Sequence, residues 1–234
     1  MTELEKPKLF DLTDDDLLDK IASNIPVIQG ENNNKKIIFL SCISKDLPRK
    51  YREGLSIVVS SKSSAGKSTL IENCLKPFTK DVFPFTSFTD SFFQRHFKDK
   101  SLNGLILHQE QIEKTNYSGQ VSFSIPKFQL SEGNTRHGLS ERDKDGKFTD
   151  TILQVSGFPI YITSTTNPDI EPQELNRITL LQTDESEDQT KLVKKSILND
   201  CSINPDNYSS DNLNELTNLC EIYKKFSKDV KSII

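Results

Sequence analysis

The chain has 234 residues, of which 34% are hydrophobic, and a formal net charge of -4. This length suits one α/β domain with a small helical appendage, and the composition allows a sizeable core. No apolar run approaches the roughly 20 residues that cross a bilayer, and the acidic start, Thr2-Glu3-Leu4-Glu5-Lys6, lacks the layout of a signal peptide. We therefore expect a cytoplasmic protein. Without a global basic charge, any nucleic-acid contact must be local.

The cysteines and histidines give no signature of a metal site. The four cysteines contain no C-x-x-C pair, which argues against a zinc ribbon and indicates reduced thiols. The three histidines lack metal-ligand spacing, so we assign them no metal. These residues are Cys42, Cys74, Cys201, Cys220, His96, His108 and His137.

The first part of the chain is predicted to be helical. Residues 1–34 carry a helical pattern through Leu17, Leu18 and Ile21, followed by a polar turn over residues 30–34. The apolar run Ile37-Ile38-Phe39-Leu40 then predicts a helix packed under the site described next. We expect residues 1–34 to form an N-terminal helical segment.

A phosphate-binding loop is the most informative prediction from the sequence. The apolar strand Ile57-Val58-Val59 leads into a loop of small residues, and Gly66-Lys67-Ser68 opens a helix that runs to Leu75, before Pro77. Small residues let successive backbone N–H groups face a phosphate, and the helix presents its positive end to the same anion. Lys67 would then reach the β- and γ-phosphates, and Ser68 would ligand Mg²⁺.

This loop departs from the pattern Gly-x-x-x-x-Gly-Lys-Ser/Thr at one position. Ser61 stands where the first Gly is expected, and Ser tolerates a tight turn less well. The strand before the loop and the helix after it are the context that the motif requires. The predicted ATP-binding residues are Ser61, Ser63, Ser64, Ala65, Gly66, Lys67, Ser68 and Thr69.

A second apolar strand, Leu105-Ile106-Leu107, ends in the polar residues His108, Gln109 and Glu110. This is the layout of the strand that brings a carboxylate beside a phosphate loop. Glu110 would polarise the attacking water, and Gln109 occupies the position of a Mg²⁺-associated Asp. Gln109 is neutral, so metal affinity would depend more on Ser68 and the phosphates. The alternative is that Glu110 caps the following helix.

Seven phenylalanines precede this second strand. Such aromatic density indicates a hydrophobic core rather than a surface that stacks nucleic-acid bases. They are Phe78, Phe83, Phe85, Phe88, Phe92, Phe93 and Phe97.

A third strand, Pro159-Ile160-Tyr161-Ile162, ends in a polar run that contains Thr165, Thr166 and Asn167. Between the second and third strands, the Asp145-Gly146 pair predicts a β-hairpin within residues 129–150. The basic residues of this hairpin are Arg136, His137, Arg142, Lys144 and Lys147, and acidic residues balance them. The polar run could be an ordinary loop, and the hairpin could be a solvated surface feature.

Together these elements resemble the AAA+ helicase core, particularly the helicase domains of archaeal and phage-type primase-helicases and, more distantly, MCM-like motors. The resemblance covers about residues 35–195. The segments that carry it are Ser63-Ser64-Ala65-Gly66-Lys67-Ser68, Gln109-Glu110, Leu130-Ser131-Glu132-Gly133, Ile162-Thr163-Ser164-Thr165-Thr166, Arg177, Asp184-Glu185-Ser186 and Gln189-Thr190.

The resemblance implies a P-loop NTPase fold of AAA+ type, a three-layer α/β structure with a parallel sheet, an inserted β-hairpin and a helical C-terminal region. The ATPase core would span residues 35–190, and residues 191–234 would form a helical lid or C-terminal region. It also implies that Thr166 or Asn167 senses the γ-phosphate and that Arg177 is an arginine finger for a neighbouring subunit. For an isolated Arg such as Arg177, a surface salt bridge is the alternative.

The same resemblance implies an ATP-driven, homo-oligomeric ring that acts in DNA replication as a helicase associated with the nucleoid. The basic hairpin would contact single-stranded or forked DNA through its phosphates. Two alternatives remain open, namely a regulatory nucleotide-binding switch or loader with little hydrolysis, and a P-loop kinase. A kinase usually needs an Arg-rich lid, whereas the C-terminal region carries Lys194, Lys195, Lys224 and Lys225 without an Arg.

Overall fold

The structure is a computed structural model, and it describes residues 14–25, 29–47, 55–62, 66–87, 89–112, 119–121, 125, 127–142 and 148–202. The helices are α1 Asp14–Asn24, α2 Asn32–Ser44, α3 Lys67–Leu75, α4 Asp90–His96, α5 Lys127–Ser131, α6 Pro172–Leu175 and α7 Glu187–Ser202. The strands are β1 Ser56–Ser60, β2 Val82–Phe85, β3 Ile106–Gln109, β4 Asn134–Arg142, β5 Phe148–Ser156, β6 Ile160–Thr165 and β7 Ile178–Gln182.

The chain divides into two compact units. Met1–Ile37 and Ser186–Ile234 belong to the first unit, and Ile38–Glu185 forms the second. In the first unit, the buried Gln189 side chain donates a 2.5 Å hydrogen bond to the carbonyl of Gln29. This bond ties α7 to the segment before α2.

No helix in the described part of the chain has the length and apolar character that a membrane span requires.

A five-stranded parallel sheet forms the centre of the second unit, in the order β2-β3-β6-β1-β7. Every residue of β1 and β6 is buried, as expected for central strands that are covered on both faces. The next strand in sequence after β1 is β2, which lies at the far edge of the sheet, whereas β7 lies on the other side of β1. The strand order therefore reverses at β1. Ligands of such sheets bind beyond the carboxyl ends of the strands at this point. This arrangement confirms the predicted α/β class and is consistent with a P-loop NTPase-like fold.

The core of the second unit lies against this sheet. Its buried members include Val58 of β1, Leu107 of β3 and Tyr161 of β6, together with Phe93 and Phe97 of α4 and its C-terminal end. Phe78 is also buried, whereas Phe92 is 47% exposed. Most of the described phenylalanines are therefore core residues, as predicted, and Phe88 lies outside the described residues.

The predicted hairpin is present as the antiparallel pair β4–β5, with a register that runs from Asn134 opposite Ser156 to Arg142 opposite Phe148. Its base is anchored by the buried Gln129 of α5. The Gln129 amide donates a 2.5 Å hydrogen bond to the carbonyl of Gly157 and its Oε1 accepts a 2.7 Å bond from the Thr135 hydroxyl. The hairpin is thus inserted between β3 and β6 and fixed at its base.

Three features differ from the sequence-based expectations. The polar turn is shorter than predicted, because α2 begins at Asn32 after Gly30 and Glu31 adopt positive φ angles of 72° and 57°. Strands β2 and β7 were not predicted. β2 has only four residues and contains Pro84, which an edge strand tolerates because it needs one set of ladder hydrogen bonds. β7 is the opposite edge strand, in which Ile178 and Leu181 are buried and Leu180 is exposed.

Candidate functional site

The phosphate loop joins β1 to α3, as the motif requires. Gly66 caps the N-terminus of α3 in the left-handed region, with φ 76° and ψ 12°, and its carbonyl accepts the first helical hydrogen bond from Leu70. The conformation favours Gly at this position, since most other residues adopt it only with strain. Ser61 has no positive φ, so replacement of the first Gly by Ser causes no backbone strain there.

Lys67, the first residue of α3, folds its side chain back onto the loop. Its Nζ atom donates hydrogen bonds to the carbonyls of Ser61 at 2.9 Å and Lys62 at 2.6 Å. Burial lowers the pKa of Lys67, and the negative charge of Glu185 opposes this shift. Ser68 and Thr69, in the first turn of α3, are exposed. The Lys67 ammonium is therefore held against the end of β1 by the two carbonyls.

Glu185 contacts the same loop from the segment after β7. Its Oε1 atom accepts a 2.8 Å hydrogen bond from the backbone N–H of Lys62, and its Oε2 atom lies 3.2 Å from the Lys62 Nζ atom. The hydrogen bond from the Lys62 backbone lowers the pKa of Glu185, and the positive charges of Lys62 and Lys67 add to this shift. The carboxylate is therefore charged at neutral pH.

A cavity of about 360 Å³ opens between the ends of β1, β6 and β7. Two buried hydroxyl oxygens beside it, those of Ser61 and Thr183, have no hydrogen-bond partner within the described residues. The lining residues are Ser60, Ser61, Lys62, Thr166, Pro168, Gln182, Thr183 and Glu185.

Glu110 follows the last residue of β3, and its backbone is held on both sides. Its N–H donates to the carbonyl of Phe85 at 3.2 Å, and its carbonyl accepts a 2.8 Å hydrogen bond from the Ser164 hydroxyl. The Ser164 carbonyl in turn accepts from the N–H of Ile112 at 2.9 Å. Glu110 is exposed at the edge of the sheet where the strands end, which is the place expected for a residue that activates water.

Gln109, the predicted Mg²⁺-associated residue, is only 2% exposed. Its Oε1 atom accepts a 2.5 Å hydrogen bond from the Tyr161 hydroxyl, and its Nε2 atom donates to the Thr86 carbonyl at 3.0 Å. Both ends of the amide thus have partners inside the sheet. A metal role for Gln109 would require these hydrogen bonds to break.

His108 lies between Gln109 and Leu107 on β3 and is half-buried. Burial lowers its pKa, against the negative charges of Glu72 and Glu110. The imidazole therefore favours its neutral form in the folded protein.

The polar residues after β6 occupy three different environments. Thr165 is buried, and its hydroxyl accepts a 3.1 Å hydrogen bond from the N–H of Asn167. The Asn167 amide donates to the carbonyl of Gly119, and its Oδ1 atom accepts from the N–H of Asp169. Thr166 is exposed and lines the cavity. Of the two predicted sensor residues, Thr166 is the one beside the phosphate loop.

Arg177 is held within its own chain. Its Nε atom donates a 2.6 Å hydrogen bond to the hydroxyl of Ser131, and its Nη1 atom donates to the carbonyl of Gln173. It does not line the cavity. These contacts fix the guanidinium between α5 and α6.

Of the predicted DNA-binding residues, Arg136 and His137 are consecutive on β4 and therefore lie on opposite faces of the hairpin. Arg136 is exposed and lies opposite Gln154, whereas His137 is half-buried opposite Leu153. Arg142 ends β4, but its side chain is outside the described residues. Ser63, Ser64, Ala65, Lys144 and Lys147 also lie outside the described residues.

The sequence reasoning missed the roles of Lys62, Tyr161 and Ser164, and it named Glu185 only within a resemblance. Recognition of the β-branched and apolar run Ile178-Thr179-Leu180-Leu181 as a strand would have placed Glu185 at the edge of the sheet that holds the loop.

No protein-family model matches the chain, and no curated protein sequence matches it. Two solved structures are similar at low level. One is "The A form apo structure of NrS-1 C terminal region-CTR(305-718)", with a TM-score of 0.38 and 15% identity over 89% of this chain and 43% of that one. The other is "SCCmec type IV Cch - active helicase", with a TM-score of 0.36 and 14% identity over 77% of this chain and 31% of that one. The chain thus spans less than half the length of either structure.

Proposed function

We propose that the chain is an ATP-hydrolysing, DNA-stimulated motor of AAA+ type that acts as a replicative helicase domain. The observation that carries the proposal is the strand order. It brings the ends of β1, β6 and β3 side by side at one edge of the parallel sheet. Lys67, Thr166 and Glu110 follow these three strands in turn.

Each of these residues has a distinct task in the proposed reaction. Lys67 would stabilise the β- and γ-phosphates, and Thr166 would hydrogen-bond to the γ-phosphate. Glu110 would orient and polarise the attacking water. Catalysis of this type depends on positioning and electrostatic stabilisation, which parallel strand ends on a rigid sheet can supply.

Mg²⁺ would be held by the Ser68 hydroxyl and the phosphates. Ser68 suits this role because it is exposed in the first turn of α3, next to Lys67. Held there, Mg²⁺ would supply electrostatic stabilisation of the negative charge that develops during phosphoryl transfer.

DNA contact and ring formation complete the proposal. The hairpin β4–β5 would contact the phosphates of single-stranded or forked DNA through Arg136, Arg142, Lys144 and Lys147, with His137 beside them. Arg177 would complete the ATP site of a neighbouring subunit in a homo-oligomeric ring. This role requires Arg177 to exchange its present hydrogen bonds for contacts across the interface.

A regulatory switch with little hydrolysis is the second candidate. It is favoured by Gln109, because a neutral amide engaged in buried hydrogen bonds stands where the usual acidic partner for Mg²⁺ is expected. Such a protein would bind ATP and change its partners without rapid turnover.

ATP hydrolysis with and without single-stranded DNA separates the two candidates. We expect DNA to raise the turnover of the wild type, and Lys67→Ala and Glu110→Gln to abolish it. Lys76→Ala, which removes an exposed lysine just after α3, is the matched control. ATP binding without turnover under either condition would favour the switch.

A further inference from the structure

The phosphate loop already binds an anion that belongs to the protein itself. The Glu185 carboxylate accepts the Lys62 backbone N–H at 2.8 Å and lies 3.2 Å from the Lys62 ammonium. Backbone N–H groups and lysines of such loops are the groups that bind phosphate oxygens. A carboxylate presents the same kind of charged oxygen acceptor, so it can occupy these donors when no nucleotide is present.

The ammonium group of Lys67 also has hydrogen-bond partners within the protein. The Lys67 ammonium donates to the carbonyls of Ser61 and Lys62, which are consecutive in the loop. Glu185 and Lys67 therefore contact the same residue: Glu185 accepts from the Lys62 N–H, and Lys67 donates to the Lys62 carbonyl. Together these contacts give the Lys62 N–H, the Lys62 ammonium and the Lys67 ammonium partners within the protein itself.

This arrangement leaves other groups unsatisfied. The hydroxyl oxygens of Ser61 and Thr183 are buried beside the cavity, and neither has a hydrogen-bond partner within the described residues. A buried hydroxyl without a partner is unfavourable. Because Ser61 and Thr183 line the cavity, a polar ligand that enters it would supply these hydroxyls with a hydrogen-bond partner.

We propose that Glu185 is a latch that competes with the nucleotide triphosphate for the phosphate loop, and that Lys62 is a second phosphate-binding lysine which the latch holds until the triphosphate displaces it. The proposal rests on the proposed nucleotide site and adds a means of regulating it. Glu185 lies three residues after the end of β7 at Gln182 and two residues before the start of α7 at Glu187.

Nucleotide affinity tests this proposal without reference to hydrolysis. MgATP is titrated into the full chain and into the variants Glu185→Gln, Glu185→Ala and Lys62→Gln, with tripolyphosphate as a second probe that lacks base and sugar. We expect Glu185→Gln to tighten binding of both probes by about three- to tenfold, because the competing charge is gone. We expect Glu185→Ala to tighten it at least as much, and Lys62→Gln to weaken it.

Asp184→Asn is the matched control, since it removes one negative charge from the adjacent position. Equal tightening by Asp184→Asn and Glu185→Gln would overturn the latch, because the effect would then be one of general charge. Unchanged or weaker binding by Glu185→Gln would overturn it as well. If Lys62→Gln tightens binding as Glu185→Ala does, Lys62 is only the partner of the latch, and its assignment as a phosphate-binding residue is wrong.

The outcome also separates this inference from the proposed motor. Tighter binding by Glu185→Gln together with the absence of DNA-stimulated turnover would support the latch and reject the motor. Measurable binding that Glu185→Gln does not change would reject the latch alone. The absence of binding in the wild type and in every variant would reject both. Melting temperatures of all variants show whether each one is folded.

Discussion

Tyr161 donates its hydroxyl to the side-chain carbonyl of Gln109 at 2.5 Å, between two neighbouring strands of the sheet. Tyr161 is fully buried, and burial raises the pKa of its hydroxyl far above the usual range. The hydroxyl is therefore always a donor, and Gln109 supplies a neutral acceptor while its amide donates to Thr86. A neutral Gln thus fits this buried position in a way that a carboxylate would not.

The first prediction follows from this pair. We expect Tyr161→Phe to lower the free energy of unfolding by about 1 kcal/mol through loss of one buried hydrogen bond. Gln109→Asp should destabilise the protein more, because its carboxylate is shorter, charged and unable to donate to the Thr86 carbonyl. Urea unfolding measures both effects. A stable Gln109→Asp variant with tighter Mg²⁺ binding would contradict this prediction and support the metal role of Gln109.

Ser164 should position Glu110 for catalysis. Its hydroxyl fixes the Glu110 carbonyl at the end of β3, so Ser164→Ala should let the carboxylate move relative to the phosphate loop. We expect kcat to fall by about tenfold with little change in KM, since displacement of a catalytic group affects the chemical step. Steady-state ATPase kinetics measure this. Ser164→Thr keeps the hydroxyl and should restore much of the rate; equal loss in both variants would reject the positioning role.

Thr166 and Asn167 should give different phenotypes. Thr166 is exposed beside the cavity, so Thr166→Ala should lower turnover while leaving the melting temperature unchanged. Asn167 binds Gly119 and Asp169 in its own loop, so Asn167→Ala should cost about 1 kcal/mol of stability. Thermal unfolding and ATPase rates, measured on the same preparations, compare the two. The opposite pattern would make Asn167 the sensor.

His108 should make stability depend on pH below neutrality. Burial lowers its folded-state pKa below the unfolded value near 6.5, so the unfolded chain binds the proton more readily. The folded protein should therefore lose stability as the pH falls from about 6.5 toward the folded-state pKa. Urea unfolding at several pH values should show a smaller loss in His108→Gln. An identical pH profile for the wild type and His108→Gln would reject this contribution.

Arg177 should contribute to stability and can be tested as a finger at the same time. Arg177→Ala removes two hydrogen bonds of a charged group and should cost about 1–3 kcal/mol in urea unfolding. If it also acts across an interface, a mixture of inactive Arg177→Ala and inactive Lys67→Ala subunits should regain ATPase activity, because some interfaces then contain both residues. A mixture that stays inactive would leave Arg177 a structural residue.

The local sequence pattern was sufficient to predict some of the secondary-structure elements of this protein. The run Ile57-Val58-Val59, the small-residue loop and Gly66-Lys67 predicted a strand, a loop and a helix, because each depends on neighbouring residues. The Asp145-Gly146 pair predicted the hairpin for the same reason. The short edge strands β2 and β7 were not predicted, because their hydrogen bonds to neighbouring strands and their burial depend on strands distant in sequence.

Prediction of the candidate site required both the sequence pattern and the tertiary structure. The sequence by itself predicted a phosphate-loop motif between a strand and a helix, with Glu110 just after one apolar strand and Thr166 just after another. Only the tertiary structure decided that β6 lies between β1 and β3, that Tyr161 engages Gln109, and that Glu185 reaches Lys62 from 123 residues away. Such contacts arise from strand order and long-range packing, and no local propensity encodes which distant side chain will meet a given backbone N–H.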